Sequence, residues 1–95
     1  MHEPIDETTA LQLILDRWLP VAESRYGVPY TAEPVSVGRV EIGWLFEFAP
    51  TQQFNDAGRK LYHLQFIVDD LERRVHTVGT HGVQRAANRI KRQRE

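Results

Sequence analysis

The stretch VEIGWLFEF, residues 40–48, alternates regularly between two sets of side chains and decides the fold that the sequence predicts. Successive side chains of a β-strand point to opposite faces of a sheet. We therefore predict one strand over residues 40–48, with one set buried in a core and the other on an outer face that meets water. The core set is Val40, Ile42, Trp44, Phe46 and Phe48, and the outer set is Glu41, Gly43, Leu45 and Glu47.

Three further strands are predicted around this one. Residues 60–70, KLYHLQFIVDD, alternate in the same way, with Tyr62, Leu64, Phe66 and Val68 in the core set and Leu61, His63, Gln65 and Ile67 in the outer set. A short turn over residues 70–73 leads to RVHTVGT, residues 74–80, as a hairpin partner. A weaker strand over residues 31–37 precedes a tight turn at Gly38 and Arg39. The sequence thus predicts an antiparallel sheet of about four strands.

A helix is predicted on each side of this sheet segment. Apolar residues recur at helical spacing over residues 8–26, and Thr9 with Gln12 fits a capping box. Pro20 predicts a kink or an early end, and Gly27 a left-handed cap. The last helix is predicted to begin after Thr80, with Val83, Ala86, Ala87 and Ile90 facing inward. The predicted fold is one α+β domain over residues 1–95, with both helices on one sheet face and the other face open to water.

Composition excludes several classes of function. The chain has 95 residues, a formal net charge of −1 and no cysteine, so disulfides, zinc–thiolate sites and cysteine nucleophiles are excluded together. Glu41 and Glu47 lie about 20 Å apart along a strand, too far to share one substrate bond. The histidines lack a metal-binding motif, and no serine lies in a nucleophile elbow. We expect no enzyme activity, no metal and no cofactor. The lack of an apolar run of about 20 residues or of a signal-peptide pattern predicts a cytoplasmic protein without a membrane span.

The succession of GWLFEF, FIVDD and VHTVGT followed by a helix resembles the immunity protein 35 family of bacterial polymorphic toxin systems. Gly43, Trp44 and Phe46 match the central strand motif of that family, and Val68 with Asp69 matches the later one. The resemblance implies a small protein that neutralises a cognate toxin by binding it. The chain departs from the family in two places: it has RKLYHLQ where a Gly-Asn-x-Pro-like element is typical, and Arg73 where the hairpin turn has a glycine. Arg73 implies a turn that does not need positive φ, or a strained turn.

The outer set of side chains is the predicted partner-binding surface. Three of its members are apolar on a face that we expect to meet water, and such a patch is typical of an interface. Polar members would ring this apolar centre, and the loop over residues 50–61 would border it. The predicted partner-binding residues are Glu41, Leu45, Glu47, Leu61, His63, Gln65 and Ile67. The expected partner is a cognate protein toxin, blocked by steric occlusion.

Two alternatives stay open at the level of sequence. Arg85, Arg89 and Arg92 form one stripe of the last helix and would contact phosphates if the chain were a nucleic-acid-binding regulator. The other interpretation of this stripe is that its cations oppose the helix dipole and keep the protein soluble. A holdase-like chaperone would use the apolar patch instead. Both a monomer and a homodimer agree with the sequence.

Overall fold

The computed structural model describes residues 4–78 and 82–94. Two helices, α1 (Glu7–Arg17) and α2 (Leu19–Tyr26), precede four strands, β1 (Ser36–Val40), β2 (Gly43–Phe48), β3 (Leu64–Asp69) and β4 (Val75–Thr77), and helix α3 (Val83–Arg94) follows. The strands form one antiparallel sheet in the order β1-β2-β3-β4. The predicted α+β class, with an N-terminal helix, four antiparallel strands and a last helix, is confirmed. The predicted cap Thr80 lies outside the described residues.

The N-terminal helix divides where the proline predicts. Trp18 joins α1 to α2, and Pro20 occupies the first turn of α2, where its missing N–H costs no helical hydrogen bond. Gly27 ends α2 with a φ of 80°, as predicted for a left-handed cap. The predicted capping box is wrong, because Asp6 is the cap and accepts a 2.8 Å hydrogen bond from the Thr9 N–H. That bond also lowers the pKa of Asp6 and so favours its ionised form. The negative carboxylate then lies at the positive end of the helix dipole.

The alternating stretch at residues 40–48 contains a hairpin turn, so the prediction of one continuous strand is wrong. Residues 41 and 42 form the turn, and Val40 pairs with Gly43 across it. Gly38 and Arg39, predicted as the turn, lie inside β1 opposite Leu45 and Trp44. Alternation continued through the turn because apolar residues lie on both sheet faces, so periodicity alone gave no sign of the reversal.

Gly43 fixes where the hairpin closes. A β-carbon on Gly43 would lie 1.8 Å from the carbonyl oxygen of Val68 and 3.1 Å from the amide nitrogen of Asp70. Gly43 pairs with Asp69 in the β2–β3 ladder, and the Asp70 N–H donates to the Ile42 carbonyl at 3.0 Å. The two chain segments therefore approach so closely that only glycine fits at this position.

The helices lie on opposite faces of the sheet, so the prediction that both cover one face is wrong. One face of β2 and β3 packs against α1 and α2 in a core that includes Ile14, Phe46, Phe48, Phe66 and Val68. The other face packs against α3 through Ile42, Ile67, Ala86 and Ile90. Leu45 pairs directly with Ile67 in the ladder, which makes an apolar centre on this second face. The apolar stripe of α3 covers that centre because both surfaces gain by leaving water. The result is three layers.

The turn between β3 and β4 is held by two buried aspartates. Asp69 Oδ1 accepts hydrogen bonds from the N–H groups of Leu71 and Glu72, both at 2.9 Å, and Arg39 donates to the Asp70 carboxylate. Arg73 has a φ of 58°. Of the two possibilities that the sequence left for Arg73, the structure has the strained one, because a side chain in the left-handed region crowds its own backbone.

Candidate protein-binding surface

The apolar part of the predicted binding surface is covered. Ile67 is 0% exposed beneath α3, and Leu45 packs in the same cluster. Leu61 is buried in the loop before β3, where its N–H donates to the Gln53 carbonyl at 2.8 Å. The prediction that these residues form an exposed apolar patch is therefore wrong. For Leu45 and Ile67 the physical reason is that α3 packs on the face that was assigned to water. Leu61 lies in the loop before β3 rather than in a strand.

Glu41 is exposed but lies apart from the other polar residues of the predicted surface. It occupies the β1–β2 turn, and its Oε1 lies 2.7 Å from Lys91 Nζ on α3. Both side chains remain half exposed or more, so this ion pair contributes little to stability but connects the turn with α3. Glu41 therefore belongs to the packing of α3 rather than to a surface shared with Glu47.

Glu47, His63 and Gln65 form a connected polar row. Glu47 Oε2 lies 2.8 Å from His63 Nδ1, and Gln65 Nε2 donates to Glu47 Oε1 at 2.9 Å. Glu47 and Gln65 are direct partners in the β2–β3 ladder, so the sheet itself aligns them. The hydrogen bond with His63 lowers the pKa of Glu47 most, and burial opposes it in part. The row therefore presents one carboxylate that is ionised at neutral pH and held in a fixed orientation.

The loop before β3 is a small ordered hairpin beside this row. Asn55 Oδ1 accepts hydrogen bonds from the N–H groups of Ala57, at 3.0 Å, and Arg59, at 2.9 Å. Phe54 and Lys60 form an isolated antiparallel bridge at its base. Asparagine commonly accepts the backbone N–H groups of a turn in this way, and these hydrogen bonds hold the turn of the loop.

This loop displays two aromatic side chains that the sequence prediction missed. Phe54 is 53% exposed and Tyr62 is 68% exposed. Lys60 Nζ lies 5.6 Å from the centre of the Tyr62 ring. Phe54 is the sole large apolar side chain in residues 51–60, a signal that was available in the sequence. Tyr62 was assigned to the core because alternation was extended back to residue 60, whereas β3 begins at Leu64.

A shallow groove separates the two arms of the loop, between residues 49–54 and residues 60–63. Its walls include Phe54, Tyr62 and His63, so the aromatic side chains and the polar row border one depression. The Tyr30 hydroxyl donates to the Tyr62 carbonyl at 3.1 Å, and Thr51 Oγ1 donates to the Pro29 carbonyl at 2.8 Å. Burial raises the pKa of Tyr30, so its phenol stays protonated and keeps donating. We call residues 49–63 together with Glu47 and Gln65 the rim surface.

The cationic stripe of α3 lies outside the rim surface. Arg85, Arg89 and Arg92 are exposed, while Ala86 and Ile90 on the same helix face the sheet. Arg89 also contributes, after burial, to lowering the pKa of His76 on β4. His76 lies opposite Ile67 in the ladder, not opposite His63, so the sheet does not bring these two histidines together.

Neither a metal centre nor a membrane helix is found in the part of the chain that the structure describes. Residues 4–78 and 82–94 contain no group of three or more histidine, aspartate or glutamate side chains arranged to hold a metal ion. In the same residues, no helix has both the length and the apolar character needed to cross a membrane.

His76 Nε2 is buried without a hydrogen-bond partner, which explains why burial is the main cause of its lowered pKa.

Comparisons of the chain with protein-family models, with curated proteins and with solved structures found no match.

Proposed function

We propose that this protein is a small binding protein of the toxin-immunity kind, which neutralises a cognate bacterial toxin by covering it and performs no chemistry of its own. The resemblance of GWLFEF, FIVDD and VHTVGT to the immunity protein 35 family supports the class of partner. The geometry supports a different docking surface from the one that the sequence predicts. In this proposal the rim surface, rather than the centre of the sheet face, contacts the toxin.

The observation that carries the proposal is the exposure of Phe54 and Tyr62 on an ordered loop. Large aromatic side chains are enriched at the energetic centres of protein interfaces, because they bury much area and lose little rotamer freedom. Here two of them border one groove, and hydrogen bonds to Asn55 and Tyr62 hold the loop that presents them. A surface that is ordered before binding loses less entropy when a partner docks.

The polar row supplies the other part of such an interface. Glu47 is held by His63 and Gln65 at 2.8 and 2.9 Å, so it meets a partner with a fixed charge and without free rotation. Charges at the edge of an interface mainly change the association rate and its dependence on salt. The toxin surface that fits the rim would therefore be apolar at its centre with a cation or hydrogen-bond donor facing Glu47.

The experiment begins with the reading frame next to the gene for this chain. We expect that frame to encode a large secreted protein with a C-terminal toxin domain, which is then purified and titrated with this chain by calorimetry. Phe54→Ala should weaken binding by about 30-fold, the equivalent of a hot spot of about 2 kcal/mol. Glu47→Gln should lower the association rate and its salt dependence with a smaller effect on dissociation.

Val35→Ala is the matched control, because Val35 is also 53% exposed but lies outside the rim surface. Val35→Ala should bind the toxin as the wild type does. The free energies of unfolding of Phe54→Ala and Val35→Ala should both lie within about 0.5 kcal/mol of the wild-type value. Equal binding by Phe54→Ala and wild type would remove the rim surface from the proposal. A toxin domain that neither binds the chain nor is inhibited by it would remove the immunity function.

The nucleic-acid alternative is tested in the same series. If the cationic stripe of α3 binds phosphates, the wild type should bind generic DNA or RNA with an affinity that falls steeply as salt rises. Joint replacement of Arg85, Arg89 and Arg92 by glutamine would then abolish that binding. Such a result would favour a regulatory protein over an immunity protein.

A further inference from the structure

Strand β4 is an edge of the sheet with backbone groups that no described residue uses. In the ladder, Val75 and Thr77 face Val68 and Phe66. The Val78 N–H donates to the Gln65 carbonyl at 3.0 Å, and the Asp69 N–H donates to the Arg74 carbonyl at 2.8 Å. In an antiparallel pair, residues whose backbone groups point to the partner strand alternate with residues whose groups point away. Arg74 and Val78 belong to the first kind, so Val75 and Thr77 belong to the second. The N–H and C=O groups of Val75 and Thr77 therefore point away from β3. Within residues 4–78 and 82–94 they have no backbone partner.

A groove runs beside this edge, beneath the junction of α1 and α2. One part of it is lined by Arg17, Trp18, Val21, Arg74, Val75 and His76. A second part shares Trp18 and Val21 and continues to Arg25, Phe66 and Thr77. Val21 is 51% exposed here, and the Trp18 ring is tilted against Phe66 with 6.0 Å between the centroids. The floor of the groove is thus apolar and lies along the open side of β4.

The cations around the groove are largely unneutralised. Arg17 and Arg25 form no ion pair with a described carboxylate. Arg25 lies over the ring of its neighbour Tyr26 at 5.8 Å. Arg74 meets Glu72 at 3.9 Å only, with both side chains well exposed. An exposed pair at this distance contributes little, and the described side chains that line the groove include these three arginines and no carboxylate.

We propose that the β4 edge binds an extended, acidic peptide segment of a partner protein, which adds to the sheet as a fifth strand. The backbone of the segment would pair with the outward groups of Val75 and Thr77, since strand addition uses such an open edge. Apolar side chains on one face of the segment pack on Trp18 and Val21. Acidic side chains at the two ends of the segment reach Arg17 and Arg74 in one part of the groove and Arg25 in the other.

Charge decides between this occupant and a second copy of the chain. Pairing β4 with β4 of another copy would bring two sets of these arginines together, and like charges across strands are destabilising. A nucleic acid would satisfy the arginines but has no alternating N–H and C=O groups to match the strand edge. The acidic peptide satisfies both features. This surface is separate from the rim surface, so the inference does not rest on the proposed function.

The test uses three synthetic peptides of about seven residues, a length typical of a strand. In the first, two glutamates stand at each end of a Val-Thr-Val centre, so that both valines and a glutamate at each end point to the same face. In the second, lysines replace the glutamates, and the third repeats the first with N-methyl groups on alternate amides. We expect the acidic peptide to bind with a dissociation constant on the order of 100 µM, and the other two to bind at least about tenfold more weakly. In amide-resolved NMR spectra, the N–H signals of Val75 and Thr77 should shift most.

Arg17→Glu tests the charge contribution and Arg92→Glu is its control, because Arg92 is equally cationic and exposed but does not line the groove. Arg17→Glu should weaken the acidic peptide by about fivefold or more, and Arg92→Glu by less than about twofold. Thermal unfolding should be unchanged in both. The proposal is overturned if the acidic and lysine peptides bind equally, if neither binds, or if the shifts map to β1. A dimer that pairs through β4 in sedimentation would also overturn it.

Discussion

Gly43→Ala tests the register of the central hairpin. The added β-carbon would lie 1.8 Å from the Val68 carbonyl oxygen, and a carbon and an oxygen need about 3.2 Å. β2 and β3 would have to separate by roughly 1.4 Å at a point where hydrogen bonds span about 2.9 Å. The pair that Gly43 makes with the buried Asp69 would then be lost.

The expected cost combines two terms. Forcing a methyl group into a packed position costs about 1–3 kcal/mol, and each broken backbone hydrogen bond costs about 0.5–1.5 kcal/mol more. If the hydrogen bond from the Asp70 N–H to the Ile42 carbonyl is the one broken, the sum is about 1.5–4.5 kcal/mol. A chain of 95 residues is stabilised by only about 5–14 kcal/mol, so Gly43→Ala should lose a large part of its free energy of unfolding. Urea titration followed by far-ultraviolet circular dichroism measures it.

Gly38→Ala is the control, because a β-carbon there meets nothing within 4 Å and Gly38 lies in edge strand β1. We expect Gly38→Ala to be neutral or more stable by up to about 1 kcal/mol, since alanine loses less backbone entropy than glycine. The reasoning is refuted if Gly43→Ala unfolds within about 1 kcal/mol of wild type. A large loss from Gly38→Ala instead would place the turn where the alternation alone suggested, at residues 38 and 39.

Three further predictions concern the turn, the titration and the last helix. Arg73→Gly should raise the free energy of unfolding by about 1 kcal/mol, because glycine adopts a positive φ without strain; Arg73→Ala is the control, and a melting temperature that falls with glycine would contradict the prediction. Burial lowers the pKa of His76 in the folded chain below the usual histidine value. As pH falls from the usual value towards the lowered one, the unfolded chain binds a proton that the folded chain does not, so the free energy of unfolding should decrease over that pH range. Urea titrations at several pH values measure this slope, which His76→Phe should flatten; an unchanged slope would assign it to another group. Ile90→Ala should cost about 2–5 kcal/mol because Ile90 is 1% exposed between α3 and the sheet, whereas exposed Asn88→Ala should be neutral; equal melting temperatures would mean that α3 does not cover the sheet.

The polar part of the predicted binding surface was predicted better than its apolar part. Glu47, His63 and Gln65 were assigned to one face, and the structure joins them by hydrogen bonds. Leu45 and Ile67 were assigned correctly to that same face, but they were predicted to be exposed and are covered instead. Strand alternation reports which side chains share a face and carries no information about what covers that face.

The sequence by itself determined the class and order of the elements. Helical periodicity placed α1, α2 and α3, Pro20 divided the first helix, and Gly27 ended it, because these are local effects of spacing, ring geometry and backbone freedom. Tertiary structure alone decided which face of the sheet α3 covers and where the central hairpin turns. Both depend on contacts between residues distant in sequence, such as Ile90 with Ile67 and Gly43 with Val68. Burial of apolar area favours covering either apolar face, and only the packing of the whole chain determines which helix lies on each.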